Sequence, residues 1–110
     1  MATSARVALL PGDGIGPEVM AVAEAVLKTL IHGHDLPLEY DVLPWPATDW
    51  HRRHGVMMPD DALPRLRQYQ ALLLGALGDP GPLSDPQRYR LSDGVSLAPL
   101  LTLRKGLDLW

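Results

Sequence analysis

Three glycines at alternate positions, Gly12, Gly14 and Gly16, form the part of the chain best suited to contact a ligand. They follow an apolar run at residues 7–10 and precede Pro17, which can open a helix because the first turn leaves its N–H groups unbonded anyway. A strand, a glycine turn and a helix in this order place backbone N–H groups at the carboxyl end of a strand, where α/β sheets bind ligands. The spacing is not the Gly-x-Gly-x-x-Gly of Rossmann folds, and a tight turn without a ligand remains the alternative.

Arg104 lies in a leucine-rich segment and has a side chain that could bind a carboxylate. Leucines at helical spacing predict a helix around it that ends near Trp110: Leu97, Leu100, Leu101, Leu103 and Leu107. Arg104 follows Leu101 by three residues and Leu100 by four, so we expect it at the edge of this apolar face. A guanidinium can form two parallel charge-assisted hydrogen bonds to one carboxylate. The alternative is an arginine on a solvated helix face.

The hydrophobic pattern predicts strands that alternate with helices around a mostly parallel sheet. Strands are predicted at residues 7–10, 38–43 and 71–74. The last of these is a continuous apolar run, which is typical of a strand buried on both faces of a sheet.

Helices are predicted at residues 17–30, about 50–54, and 60–68. Gly33 is expected to close the first helix, and Asp60 is expected to cap the third. Pro64 restricts the third helix to a short and irregular first turn.

Residues 78–94 interrupt the alternation with a long loop that contains Pro80, Pro82 and Pro86. Loops of this length inside compact domains usually carry function or are disordered. If the strands are parallel, this loop lies at the same sheet edge as the Gly12–Gly16 turn, and both face one cleft. A surface insertion without function is the alternative.

The composition argues against several classes of protein. With 46% hydrophobic and 21% charged residues, the chain is typical of a folded, soluble protein, and no apolar run approaches a bilayer span. The first residues lack the apolar core of a signal peptide. The net charge of -3 without basic clusters argues against nucleic acid as the main partner. The absence of cysteine removes disulfides and thiolate chemistry and is compatible with the cytoplasm.

Two pairs of polar residues could do chemistry but have simpler explanations. His51 and His54 could share a helix face as metal ligands, but no third ligand accompanies them at a suitable spacing. Asp60 and Asp61 could form an acid/base pair, although capping of a helix explains them more simply.

Four segments together resemble the isocitrate/isopropylmalate dehydrogenase family, the β-decarboxylating dehydrogenases. In chain order they are Pro-Gly-Asp-Gly-Ile-Gly-Pro-Glu at 11–18, His-Gly-Val-Met-Met-Pro-Asp-Asp at 54–61, Leu-Leu-Leu-Gly-Ala-Leu-Gly-Asp-Pro at 72–80 and Leu-Leu-Thr-Leu-Arg-Lys at 100–105. The resemblance extends from about Arg6 to Trp110, and its second segment is most similar to the tartrate and D-malate dehydrogenase branch.

The resemblance implies that residues 1–110 are the N-terminal portion of a larger dehydrogenase domain, without an internal boundary, in the isopropylmalate dehydrogenase-like fold. It implies an NAD-dependent, Mg²⁺- or Mn²⁺-dependent oxidative decarboxylase of a malate-type 2-hydroxy acid, such as tartrate, D-malate or 3-isopropylmalate. The parent enzyme is expected to be a cytoplasmic homodimer. Its catalytic residues and metal ligands are expected outside these 110 residues, which alone would be inactive. A non-catalytic α/β binding or assembly module is the alternative.

The resemblance also implies which residues bind ligands. Those expected at the cofactor are Ile15, Asp79, Pro80 and Leu97. Those expected at the substrate are Leu100 and Arg104, with Arg104 holding a carboxylate. Residues 95–99 contain neither the glutamate of isopropylmalate enzymes nor the tryptophan of tartrate-type enzymes, so the particular hydroxy acid stays open.

Overall fold

The computed structural model describes residues 5–78 and 93–109, which form a three-stranded parallel sheet with helices packed against it. In chain order the elements are β1 (Ala5–Gly12), α1 (Gly16–His34), β2 (Leu38–Val42), α2 (Thr48–His54), α3 (Ala62–Leu66), β3 (Ala71–Ala76), α4 (Asp93–Ser96) and α5 (Ala98–Gly106). The α/β class with a parallel sheet is therefore confirmed. Within the described residues, no helix is both long enough and apolar enough to cross a membrane.

β1 is the central strand and pairs in parallel with β2 on one side and β3 on the other. Its register places Leu9 beside Leu73, and Leu10 beside Leu74. Because laterally paired residues share a face and successive residues alternate, Leu9 and Leu10 define the two faces of the sheet.

α1 packs on the Leu9 face. Val7 lies on this face and pairs with Tyr40 of β2, whose hydroxyl donates to Glu24 Oε2 of α1 at 3.0 Å. Met20 of α1 is buried.

The larger core lies on the Leu10 face, where α3, α5 and the segment before α2 meet the sheet. Its buried members are Ala8, Leu10, Trp45, Ala62, Leu66 and Leu103. Arg67 Nη2 also donates to the Gly106 carbonyl at 2.7 Å, which ties the end of α3 to the end of α5.

β3 differs from its prediction because it is not buried on both faces. Leu72 and Leu74 pack against the core, whereas Leu73 on the α1 side is 41% exposed. β3 is an outer strand of the described sheet. An apolar run in the sequence predicts the strand but not which neighbours cover it.

The ends of α1 also differ from the prediction. The helix begins at Gly16, so Pro17 is its second residue, and it continues through Gly33 to His34. Asp35 closes it in the left-handed conformation with φ of 53°, and its N–H bonds to the Leu30 carbonyl. Aspartate adopts this conformation more readily than most residues, so the helix does not need its glycine there.

α3 is shorter than predicted and is not capped by Asp60. Asp61 precedes the helix and makes no side-chain capping bond. Backbone bonds start the turn instead, from the Ala62 N–H to the Pro59 carbonyl and from the Arg65 N–H to the Asp61 carbonyl.

The C-terminal elements revise two predicted boundaries. Of the predicted loop 78–94, residues 79–92 lie outside the described residues, while Asp93 and Gly94 already belong to α4. α5 ends at Gly106, earlier than the expected end near Trp110.

A polar cluster joins β1, β2 and the segment after α3. Tyr69 Oη donates to Asp41 Oδ2 at 2.7 Å, and Arg6 Nη2 lies 3.3 Å from the same oxygen. The Tyr69 hydrogen bond, with a smaller effect of Arg6, lowers the pKa of Asp41 from its ordinary value of 3.8. The same bond, together with desolvation, raises the pKa of Tyr69 above 10.0.

These shifts define the pH range in which the bond stabilises the fold. The contribution of Asp41 is present above 3.8 and is lost as the pH falls through the lowered pKa of the folded state. The contribution of Tyr69 is present below 10.0 and is lost as the pH rises through its raised pKa.

We predict that Asp41→Asn moves the pKa of Tyr69 down toward about 10, because the negative charge that holds the phenolic proton is removed. Tyrosinate absorbance, followed against pH in a chain with Tyr40→Phe and Tyr89→Phe, reports Tyr69 alone. Glu24→Gln is the matched control and should leave the titration unchanged, because Glu24 bonds to Tyr40. An identical midpoint with and without the Asp41 charge would contradict the bond.

Candidate functional site

A buried carboxylate, Asp13, joins three segments at the carboxyl end of the sheet. The residue is only 6% exposed. Its Oδ1 accepts the Thr48 N–H at the start of α2 at 2.6 Å, and its Oδ2 accepts the Gly78 N–H after β3 at 3.2 Å. Its own N–H donates to the Ala76 carbonyl at 2.7 Å. The turn after β1, the start of α2 and the segment after β3 are therefore held together.

The glycines near Asp13 allow backbone to pack against backbone. A Cβ on Gly12 would overlap the carbonyl oxygen of Ala76, and a Cβ on Gly16 or Gly75 would overlap that of Pro11. Gly12 also has φ of +77°, which disfavours any other residue. Close contact between the β1–α1 turn and β3 thus explains the glycines at positions 12, 16 and 75.

The turn does not present all the free N–H groups that its sequence predicts. The Asp13 N–H is bonded to Ala76, and the Gly16 N–H donates to the Asp13 carbonyl at 2.8 Å. For these two amides the prediction of a ligand-binding backbone is wrong, because the protein's own carbonyls already accept them. The structure favours the alternative of a tight turn.

The predicted cofactor residues that the structure describes, Ile15 and Leu97, lie around this junction. Ile15 is two residues beyond Asp13, stands at the start of α1 and is largely exposed. Leu97 precedes α5, and a Cβ on Gly78 would lie 3.7 Å from its Cδ2. The Asp13–Gly78 bond therefore connects the surroundings of Ile15 with those of Leu97. Asp79 and Pro80 lie outside the described residues.

Both glycine loops begin at the same sheet edge, as predicted. The strands that precede them, β1 and β3, are parallel neighbours, and Gly78 donates to Asp13 directly. The cofactor roles of Ile15 and Leu97 stay predictions.

The substrate residues predicted on α5 share one exposed face. Leu97, Leu100 and Arg104 lie at positions i, i+3 and i+7, within about 60° around the helix. All three are exposed, as is Leu101 beside them. Their surface combines apolar side chains with one guanidinium, which suits an acid that also has a carbon skeleton to bury.

This arrangement corrects the predicted orientation of α5. Pro99 and Leu103 face the core, so Leu100 and Leu101 do not belong to the buried face. Arg104 stands within an exposed apolar row, not at the edge of the core-facing one. The helix has two leucine-containing rows, and periodicity does not tell which row meets the sheet.

A separate cavity of about 490 Å³ opens between the α2–α3 segment and α4–α5. Its lining includes Met57, Asp60 and Thr102. Thr102 lies about 160° around α5 from Arg104, so this cavity is distinct from the predicted substrate surface.

The described residues contain no group of three or more His, Cys, Asp or Glu side chains that could hold a metal ion. The His54 ring packs on Trp50 with ring centroids 3.9 Å apart, and His51 lines the cavity. The two histidines are therefore better explained by packing contacts than by a shared metal site.

The fold is of the α/β class with a parallel sheet, and a comparison with known families shows which family it belongs to. The sequence model described as isocitrate/isopropylmalate dehydrogenase matches residues 6–110. The chain belongs to this family, as its four segments predict.

Individual relatives agree with this assignment. The chain is 43% identical over 108 residues to a tartrate dehydrogenase/decarboxylase of Pseudomonas putida and 38% identical over 107 residues to a 3-isopropylmalate dehydrogenase of Bacillus subtilis. These matches cover 97% and 96% of this chain but 27% of each relative. The solved apo structure of a β-decarboxylating dehydrogenase of Thermococcus kodakarensis is 33% identical, with a TM-score of 0.56, and the match covers 94% of this chain and 27% of that one. The chain thus spans about a quarter of the length of these relatives.

Sequence reasoning missed Asp13. The available signal was a charged residue placed between two glycines of a turn that packs tightly, where a carboxylate can accept several backbone N–H groups. Nothing in the local sequence indicates that its partners are Thr48 and Gly78, which lie 35 and 65 residues away.

We predict that Asp13→Asn lowers the free energy of unfolding by about 1.5–3 kcal/mol, the usual contribution of one charge-assisted hydrogen bond. Asparagine has one acceptor oxygen, so its NH₂ group would face one of the two backbone N–H donors. Urea denaturation of the 110-residue chain measures the change. Asp35→Asn is the matched control, because Asp35 is exposed and asparagine tolerates its left-handed conformation. Equal losses in both variants would contradict this role of Asp13.

Proposed function

We propose that this chain forms part of an NAD-dependent and Mg²⁺- or Mn²⁺-dependent dehydrogenase that oxidises and decarboxylates a malate-type 2-hydroxy acid. The observation that carries the proposal is the exposed face of α5, where Arg104 lies beside exposed leucines on the same side of the helix. The names of the relatives, tartrate dehydrogenase/decarboxylase and 3-isopropylmalate dehydrogenase, support this substrate class. A cytoplasmic homodimer with a small-molecule substrate is part of the proposal.

On the substrate side, Arg104 binds a carboxylate of the acid through its planar guanidinium. Two parallel charge-assisted bonds fix the position and the rotation of the carboxylate together, which a single point charge cannot do. Leu100 contacts the carbon skeleton and keeps water away from the ion pair, which strengthens it.

On the cofactor side, Ile15 and Leu97 provide apolar surface beside the Asp13–Gly78 bond. Exposed aliphatic side chains suit contact with a flat ring, whereas the bonded amides of Asp13 and Gly16 do not suit a phosphate. The residues present therefore fit the ring end of a nicotinamide cofactor better than its pyrophosphate. When bound, NAD supplies the hydride acceptor, and the divalent cation supplies a Lewis acid for the carbonyl oxygen.

The second candidate is a non-catalytic α/β module. The bonded glycine turn favours it in one respect, because a tight turn needs no ligand. The non-catalytic module does not explain why an arginine lies within the exposed leucine row of α5.

We predict that the chain becomes active when it is joined to the part of Pseudomonas putida tartrate dehydrogenase beyond the matched 27%. The joined protein should reduce NAD with Mn²⁺ and at least one of tartrate, D-malate and 3-isopropylmalate, while the 110-residue chain alone should show no turnover. The reason is that the resemblance to the family implies catalytic residues and metal ligands outside these 110 residues. Absorbance of NADH measures both proteins.

Two results would contradict this prediction. Turnover by the pure 110-residue chain would show that the catalytic groups are within it. A folded joined protein without turnover, when the relative itself is active in the same assay, would favour the non-catalytic module.

We predict that Arg104→Lys in the joined protein lowers kcat/KM for the acid about tenfold to a hundredfold, which corresponds to about 1.5–3 kcal/mol. Lysine keeps the charge but loses the two-pronged geometry. The NAD dissociation constant, from direct titration, should barely change. Lys105→Arg is the control, since it alters a neighbouring exposed cation of α5. An unchanged kcat/KM would contradict the substrate role and favour the alternative, in which Arg104 lies on a solvated helix face.

A further inference from the structure

Gly78, two residues beyond the end of β3, has a backbone conformation that its neighbours must select. Its φ of +135° is rarely adopted by residues with a side chain, and glycine populates many other conformations as readily. Its N–H donates to Asp13 Oδ2 at 3.2 Å, and a Cβ on it would lie 3.7 Å from Leu97 Cδ2. The bond to Asp13 therefore helps to decide how the chain leaves β3.

The Asp13 carboxylate faces inward and can act on a ligand only through its partners. The residue is 6% exposed, and its two oxygens accept backbone N–H groups, Oδ1 from Thr48 at 2.6 Å and Oδ2 from Gly78. Ile15 and Leu97, by contrast, are 64% and 38% exposed. A ligand at this edge of the sheet meets those two side chains and not the carboxylate.

The two described cofactor residues lie on either side of the Asp13–Gly78 bond. Ile15 belongs to the turn of Asp13, which the bond from the Gly16 N–H to the Asp13 carbonyl closes. Leu97 lies beside Gly78. The separation between these two apolar side chains therefore depends on how closely Gly78 is held to Asp13.

We propose that Asp13 is a positioning residue for the nicotinamide cofactor. Its carboxylate fixes Gly78, and with it the place of Leu97 relative to Ile15, without touching the cofactor. A surface that already has its binding arrangement binds more tightly, because no free energy is spent on ordering it. The inference rests on the proposed function, since it requires the cofactor that this function includes.

The unequal lengths of the two Asp13 bonds allow a rescue experiment. In Asp13→Asn we expect the one acceptor oxygen to stay with the Thr48 N–H, which is the closer donor. The new NH₂ group then faces the Gly78 N–H and displaces it. Adding Thr48→Pro removes the competing donor, so the asparagine oxygen becomes free to accept from Gly78.

Thr48→Pro suits the fold at this position. Thr48 is the first residue of α2, where a helix does not use the N–H itself and where proline is common. Ala47 before it is extended, with φ of -167° and ψ of 149°, close to the conformation that a residue before proline prefers. The buried Thr48 hydroxyl has no hydrogen-bond partner within the described residues, so its loss breaks no bond there.

The experiment compares the unsubstituted protein, the two single variants and the double variant, each joined to the remaining part of the Pseudomonas putida enzyme. Circular dichroism checks that each is folded, and direct titration gives the dissociation constant for NAD. We expect Asp13→Asn to raise this constant about tenfold, the effect of one lost hydrogen bond. Thr48→Pro is the matched control and should change it little, and the double variant should bind NAD nearly as tightly as that control. The KM for the acid at saturating NAD should stay nearly constant throughout.

A merely structural role of Asp13 gives a different result. Loss of two bonds would then leave the double variant binding NAD no better than Asp13→Asn, and this outcome would overturn the proposal. So would an unchanged dissociation constant in Asp13→Asn. If Asp13→Asn does not fold, Gly78→Ala replaces it, because a Cβ at this φ forces the residue into another conformation. Unchanged NAD binding in Gly78→Ala would also reject the positioning role.

Hydrogen exchange of the Gly78 amide, followed by NMR in the 110-residue chain, tests the bond without NAD. Exchange should become faster in Asp13→Asn and slower again in the double variant. Fast exchange in the double variant would contradict the rescue and with it the proposal. If the amide is rescued but the unsubstituted joined protein does not bind NAD, the proposed function is rejected, and the cofactor role of Asp13 with it. If that protein binds NAD without rescue in the double variant, the positioning role alone is rejected.

Discussion

The buried carboxylate of Asp13 is the constraint on which the candidate site depends. Removing a carboxylate from water is costly unless hydrogen bonds replace its solvation, and here backbone N–H groups of Thr48 and Gly78 do so. These donors come from segments far apart in sequence, so the bond forms only when β1, α2 and β3 are all in place. The arrangement of Ile15 and Leu97 around this point is a consequence of that convergence.

Close packing at the same junction limits how the turn could bind a nucleotide. Gly12, Gly16 and Gly75 let the backbones of β1, α1 and β3 approach so closely that any side chain would overlap a carbonyl. The price of this packing is that the Asp13 and Gly16 amides are used internally. The Asp13 and Gly16 amides of this turn are therefore not free for a phosphate, unlike those in a Rossmann fold, whose glycines leave backbone amides available for phosphate.

The sequence predicts those parts of the fold that local patterns determine. Alternating strands and helices, parallel pairing and the shared edge of the two glycine loops all follow from periodicity and connection rules. The end of α1 was expected at Gly33, but the helix continues to His34. Asp35 closes it in the left-handed conformation, which local patterns predict for glycine more readily than for aspartate. The Asp13 bonds were missed because they depend on contacts across 35 and 65 residues, which no local pattern encodes.

The two helices with a second apolar face show how charge distinguishes kinds of partner. α5 directs Leu103 to the core and presents another leucine row that includes Arg104. An arginine in such a row loses hydration when covered, so the row is stable in contact with an anion that pairs with it. α1 instead exposes a row of aliphatic side chains, Val19, Val22, Val26 and Leu30, which apolar surface can cover without leaving a charge unpaired. Periodicity identifies both rows, but the presence of one guanidinium separates a surface suited to an acidic ligand from one suited only to apolar contacts.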